Sequence, residues 1–159
     1  ILSINESYIK NMDESLLYEN LSNFCNKYKD NIDKKKDIIK KSLHFLKNKA
    51  KTLEDIYNNS KYIISDEINI SAEDISLIND DAKKILTNFL DEYQKLKIIN
   101  KENLEKIIKN LIDKYKTNFK GVGQPIRISL VGSKFGPGIY DIILSLDKEI
   151  VSKRIKKII

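Results

Sequence analysis

One stretch of this chain gathers the residue types that bring main chain against a ligand. It runs Gly123-Gln124-Pro125-Ile126-Arg127-Ile128-Ser129-Leu130-Val131-Gly132, then Ser133-Lys134-Phe135-Gly136-Pro137-Gly138-Ile139-Tyr140. All five glycines and both prolines lie between Gly121 and Gly138, and one of only two arginines, Arg127, sits among them. Glycine lets a backbone approach a polar edge because no Cβ intervenes. Proline fixes φ and removes a donor. A guanidinium offers a planar fork to a base edge or a phosphate that lysine does not copy. These are the parts of a recognition surface. Phe135 and Tyr140 flank the loop, and either is able to stack on a base at ~1–3 kcal/mol. Tyr140 shares a helical face with Ile143 and Leu144 and reads as core; Phe135 is less constrained.

The residues that would make a reaction centre are scattered. His44 is the only histidine and lies among lysines on a helical stretch. Cys25 is the only cysteine, beside an apolar stripe, which excludes a disulfide framework and a thiolate metal cluster. Asp80-Asp81 and Asp91-Glu92 are adjacent pairs that point different ways on a helix and suit solvated faces. Gly121-x-Gly123 begins like a phosphate loop, but no strand precedes it. The chain is therefore expected to be non-catalytic by itself.

The elements that must position the loop read as helices. Apolar residues recur at helical spacing in Leu16-Leu17-Tyr18-Leu21-Phe24 after an Asp13 cap, and in Ile38-Ile39-Leu43-Leu46 on a helix from about Asp33. Thr52 and Asp55 approximate a capping box, and Ser71-Ala72-Glu73-Asp74 signals another start. A long helix then carries Leu77, Ala82, Ile85, Leu86, Phe89, Leu90, Tyr93 and Leu96. Asn100 caps one with Leu104, Ile107, Ile108, Leu111 and Ile112. Residues 117–123 read as a loop, with Pro125 and Pro137 each in the first turn of a helix. A helix start at Pro137 would offer unpaired N–H groups beside the loop. Ile126–Val131 alternates as a strand would, Gly132 suits a helix C-terminus, and Asp147 suits the start of a last helix. The reading is all-α, seven to nine helices, with no βαβ alternation.

The chain has 159 residues, enough for one domain or two small helical lobes, and 41% hydrophobic residues, enough for an interior. Net charge is +6, a mild bias toward polyanions. No 18-residue apolar run suggests a membrane span, and no signal pattern opens the chain. With one cysteine, a reducing cytoplasm is expected. The first residue is Ile1, and the expectation is a piece of a longer protein.

Gln124-Pro125-Ile126-Arg127, Gly132, and Gly136-Pro137-Gly138-Ile139 resemble the C-terminal anticodon-binding region of bacterial glutamate–tRNA ligases, which reads Gln-Pro-Leu-Arg, then Thr-Gly, then Ser/Thr-Pro-Gly-Leu. The family's closing Leu-Gly-Lys-Glu corresponds to Leu146-Asp147-Lys148-Glu149, with Asp147 in the usual glycine position. Asn5 to Lys10 is similar to the family's Asn-x-x-Tyr-Ile-Lys, and Lys49-Ala50-Lys51-Thr52-Leu53 to its basic-x-x-Thr-Leu. The resemblance covers essentially the whole chain. It implies a two-lobed helical cage of the class I aminoacyl-tRNA synthetase type, which favours helix for Ile126–Val131. The lobes are expected at about 1–116 and 117–159, with the catalytic domain N-terminal to Ile1. Neither ATP-binding signature of that domain occurs here, so ATP and Mg²⁺ belong to the parent enzyme and no cofactor is expected in this part.

The same resemblance implies anticodon contacts at Lys49, Lys109, Arg127, Gly136, Pro137 and Ile139, the last packing on a base. Members that accept only glutamate tRNA often carry Arg at the Lys49 position, so glutamine tRNA becomes a second expected partner beside glutamate tRNA. The parent is expected to be monomeric and not membrane-bound. The alternative from another class is a non-enzymatic helical protein-interaction module. Salt separates the two, because phosphate contacts weaken steeply with ionic strength.

Overall fold

The computed structural model describes residues 6–159, whose regular secondary structure is all helical with no strand. Asn5 of the opening match lies outside the described residues. The chain divides into two compact units, Ile1–Glu67 and Ile68–Ile159.

In the first unit, α1 (Glu6–Asn11) precedes α2 (Glu14–Tyr28); a 3₁₀ turn (Asp33–Lys35) leads into α3 (Lys36–Leu46), and α4 (Leu53–Ile64) follows. Capping starts α2 and α4 as the sequence predicts. The Leu16 N–H donates to Asp13 at 2.9 Å. Thr52 and Asp55 form a full capping box: the Asp55 N–H donates to Thr52 Oγ1 and the Thr52 N–H to Asp55 Oδ2. Such caps contribute about 1 kcal/mol each. α2, α3 and α4 pack on one another, and Leu17, Leu21, Cys25, Ile39, Leu43, Leu46 and Ile56 are buried.

The second unit contains α5 (Ala72–Ile75), α6 (Asp80–Lys95), α7 (Lys101–Tyr115), α8 (Phe119–Val131), α9 (Ile139–Leu144) and α10 (Lys148–Ile158). α8 is its hub and packs on α6, α7, α9 and α10. That is why the division expected near residue 116 falls inside this unit. The single long helix expected from Ser71 is in fact two. α5 stops after four residues, and Asn79 starts α6 afresh by accepting the Ala82 N–H at 2.9 Å. These short pieces raise the count to ten α-helices among the described residues, above the seven to nine expected. Asn100 caps α7 as predicted. Asp147 precedes α10, but its side chain makes no capping bond.

Candidate nucleic-acid interface

The loop at 132–138 is built from α8 upward. α7 ends at Lys116, whose left-handed backbone (φ 51°) turns the chain. Asn118 then starts α8 by accepting the Gly121 N–H at 2.8 Å. Residues 119–123 are thus helical, contrary to the loop expected there, and Pro125 lies inside α8 rather than in its first turn. An interior proline removes one helical bond and costs about 3 kcal/mol in a regular helix. Burial of Val122, Ile126, Ile128 and Leu130 offsets it. Local glycine content argued for a loop, and packing overrode it. Ile126–Val131 is helix, in line with the resemblance.

Gly132 terminates α8. Its φ is 91°, its N–H donates to Ile128 O at 2.9 Å, and a methyl group there would lie 2.6 Å from Asn69 O. Only glycine meets both demands. Arg127 then ties the loop that follows. Nε donates to Pro137 O at 3.0 Å and Nη1 to Lys134 O at 3.4 Å. Neither bond uses Nη2. Gly136, at φ 154°, backs onto the arginine stem: a methyl group there would sit 3.7 Å from Arg127 Cδ. Desolvation lowers the Arg127 pKa from its usual value, and the guanidinium stays cationic. The Phe135 N–H donates to Ser133 Oγ at 3.0 Å. Lys134 Nζ lies 4.0 Å from Glu73 Oε1 and 5.3 Å from the Phe135 ring centroid. The Phe135 ring itself is 73% exposed.

Arg127, Gly136 and Pro137 are therefore brought together. Ile139 is not on the surface with them. Its side chain is 1% exposed and lies over Gly123, where a methyl would meet Ile139 Cδ1 at 3.4 Å. The expectation that it packs on a base is corrected accordingly; it braces α9 on α8 instead. Pro137 also lies outside a helical turn, because α9 begins at Ile139 after a Gly138 cap. Lys109 is exposed on α7, and Lys49 is exposed in the first unit with φ 62°. Neither lysine makes an ion pair among the described residues, unlike Lys106, which pairs with Glu102.

Arg154 is 7% exposed, and its Nη1 donates to Leu130 O at 2.8 Å near the end of α8. Tyr140 is half-buried rather than core, with its ring 6.0 Å from that of Phe119 and Lys101 Nζ 5.8 Å above it. The sequence reading missed Lys134 and Ser133 as loop-setting groups. The Ser-x-Phe spacing was the available signal, since a serine oxygen accepts the N–H two residues on. The arrangement offers a tied loop, a partly free guanidinium and a presented aromatic. No group of three or more metal-ligating side chains occurs among the described residues.

Residues 16–159 match the family model described as an anticodon binding domain. The chain belongs to the anticodon-binding-domain family. Among curated relatives in which the same region occurs, glutamate–tRNA ligase of Pelagibacter ubique (strain HTCC1062) is 55% identical over 98% of this chain and 34% of its own length. That of Thermodesulfovibrio yellowstonii is 26% identical over 100% of this chain and 35% of its own length. The chain thus spans about a third of the length of the curated relatives it matches. A solved glutamate tRNA ligase from Elizabethkingia meningosepticum superposes on 97% of this chain and 30% of its own with a TM-score of 0.80 at 20% identity, a likeness of fold. The strandless helical architecture of the described residues is that likeness.

Proposed function

We propose that this chain reads the anticodon of glutamate tRNA on behalf of a glutamate–tRNA ligase, and that Arg127, Gly136 and Pro137 form the centre of the reading surface. The observation that carries the proposal is the Arg127 tie. One guanidinium fixes the carbonyls of Lys134 and Pro137 and retains an unused edge. An anticodon is a splayed single-stranded loop whose base edges face outward. A loop that already has its bound shape loses little entropy on docking to it. Gly136 supports close backbone approach. Lys109 in the second unit carries an exposed ammonium with no ion pair among the described residues, suited to a phosphate or a base edge, and so, taken by itself, does Lys49 in the first unit.

In the longer protein, glutamate would be activated with ATP and Mg²⁺ and esterified to the tRNA end by a region outside this chain. Such a protein would work as a monomer in the cytoplasm. Separately, no described helix is long and apolar enough to cross a membrane. Lys49, at the position where strict glutamate enzymes often have Arg, supports acceptance of glutamine tRNA as well. Charging of both purified tRNAs by the longer protein tests that, and the absence of any glutamine-tRNA charging would end it. The protein-interaction alternative explains neither the family match nor the tied glycine-proline loop.

Nuclease footprinting of glutamate tRNA bound to the chain tests the main reading. Protection is expected at the anticodon nucleotides. Protection confined to the acceptor end, or none at saturating protein, would overturn it.

A further inference from the structure

Phe135 is the most exposed large apolar side chain among the described residues, at 73%, and it sits where exposure is hardest to explain by folding. It contributes almost nothing to the interior. An isolated surface apolar residue needs no explanation; one held at the centre of a cross-tied loop does. The backbone on each side of Phe135 is hydrogen-bonded, more strongly at Pro137 than at Lys134. Lys134 O accepts from Arg127 Nη1, the Phe135 N–H donates to Ser133 Oγ, and Gly136 lies against the arginine stem. Two residues on, Pro137 O accepts from Arg127 Nε. The backbone that carries the ring is thus tied on both sides by the residue proposed to meet the anticodon. Lys134 Nζ, 5.3 Å from the ring centroid, brings a cation next to the aromatic face.

An aromatic ring on a tied backbone, open to solvent and flanked by an ammonium, is the equipment for stacking a nucleobase whose phosphate lies near a lysine. Stacking needs no particular base, since every base has a π-face. We infer that Phe135 is a base-stacking platform: it takes one unpaired nucleobase of the anticodon loop while Lys134 meets the adjoining phosphate. This rests on the anticodon reading above and adds to it a residue that selects for an unstacked base rather than for its identity. A protein segment docking on the ring is the competing occupant. The exposed ring beside the Lys134 ammonium, on a loop tied by the Arg127 guanidinium, favours RNA.

The test is an abasic scan. Hairpins of the glutamate-tRNA anticodon arm are made with each loop nucleotide abasic in turn, and their affinity for the 159-residue chain is measured for wild type, Phe135→Leu, Phe135→Trp and Arg127→Ala. Phe135→Leu is expected to weaken the intact hairpin by about 5- to 150-fold, the range of one lost stacking contact, with an unchanged melting temperature. Phe135→Trp is expected to bind within about twofold of wild type, as stacking on a larger ring requires. One abasic position is expected to cost wild type a similar factor and to cost Phe135→Leu almost nothing. If Phe135→Leu binds as wild type does while Arg127→Ala loses anticodon preference, the stacking role is wrong and the anticodon reading survives. If Phe135→Leu is weaker by the same factor at every abasic position, the ring does not stack on one base and the inference fails. If wild type does not distinguish the anticodon arm from an unrelated hairpin, the anticodon reading fails and takes this inference with it.

Discussion

Removing the Arg127 donors should loosen the 132–138 loop and destabilise the second unit by a predictable amount. The Nε bond to Pro137 O at 3.0 Å has good length, and a charge-assisted bond contributes about 1.5–3 kcal/mol. Arg127 is only half-buried, so the lower end applies. The Nη1 bond at 3.4 Å is near the limit of a useful hydrogen bond and adds little. Arg127→Met, which keeps a similar stem against Gly136, should therefore cost about 1.5 kcal/mol. Arg127→Ala also removes stem packing at ~0.8 kcal/mol per buried methylene and should cost about 2–2.5 kcal/mol. For a unit of this size, each kcal/mol lowers Tm by roughly 4–8 °C. The local effect is read separately with trypsin, which cleaves after lysine. The bond after Lys134 should resist limited digestion in wild type and become the first cut in both variants. If both variants melt with wild type and the Lys134–Phe135 bond is cut no faster, Arg127 is not what holds the loop.

The two buried glycines of α8 and its end should respond oppositely. Gly132→Ala introduces a left-handed penalty of ~1–2 kcal/mol together with a 2.6 Å approach to Asn69 O, so urea unfolding should show a loss of at least about 2 kcal/mol. A methyl at Gly123 meets only ordinary contacts at 3.4–3.6 Å, and Gly123→Ala should gain up to about 0.5–1 kcal/mol from helix propensity; a destabilised variant would contradict the packing described. Thr52→Ala should lose about 1 kcal/mol in the first unit as its capping box opens, measured by the same unfolding curves. Burial pushes the Cys25 thiol up to about 11, so in native protein at pH 8 it should not react with iodoacetamide, while denatured protein should react fully. Because the folded value lies above the unfolded one, the stability this burial protects is complete below about pH 9 and declines as pH rises toward 11.

Much of this molecule was legible before any coordinates. Helix starts carried by Asp13, Thr52 with Asp55, and Asn100 are local chemistry, and side-chain capping needs only the next three residues to succeed. The apolar stripes followed from periodicity alone. Misreadings arose where distant packing overruled local preference. Glycine and proline at 121–125 speak for a loop, yet α8 runs through them because it is surrounded by four helices. Ile139 shares its motif with exposed residues, and only the contact with Gly123 reveals that it is buried. Arg127 stood out by residue type, but its partners are main-chain carbonyls seven and ten positions away, which no side-chain pattern announces. The break between α5 and α6 was hidden because the apolar spacing of Leu77 is compatible with a continuous helix.

An anticodon reader and a generic polyanion binder differ in one measurable respect. The decisive measurement is the chain's affinity for a glutamate-tRNA transcript and for the same transcript with all three anticodon bases replaced, each over a series of salt concentrations. Affinity for both should fall as salt rises, because phosphate contacts release counterions. The ratio between the two should stay well above one throughout, because base contacts carry the discrimination. Equal binding of the two transcripts at every salt concentration would contradict the account.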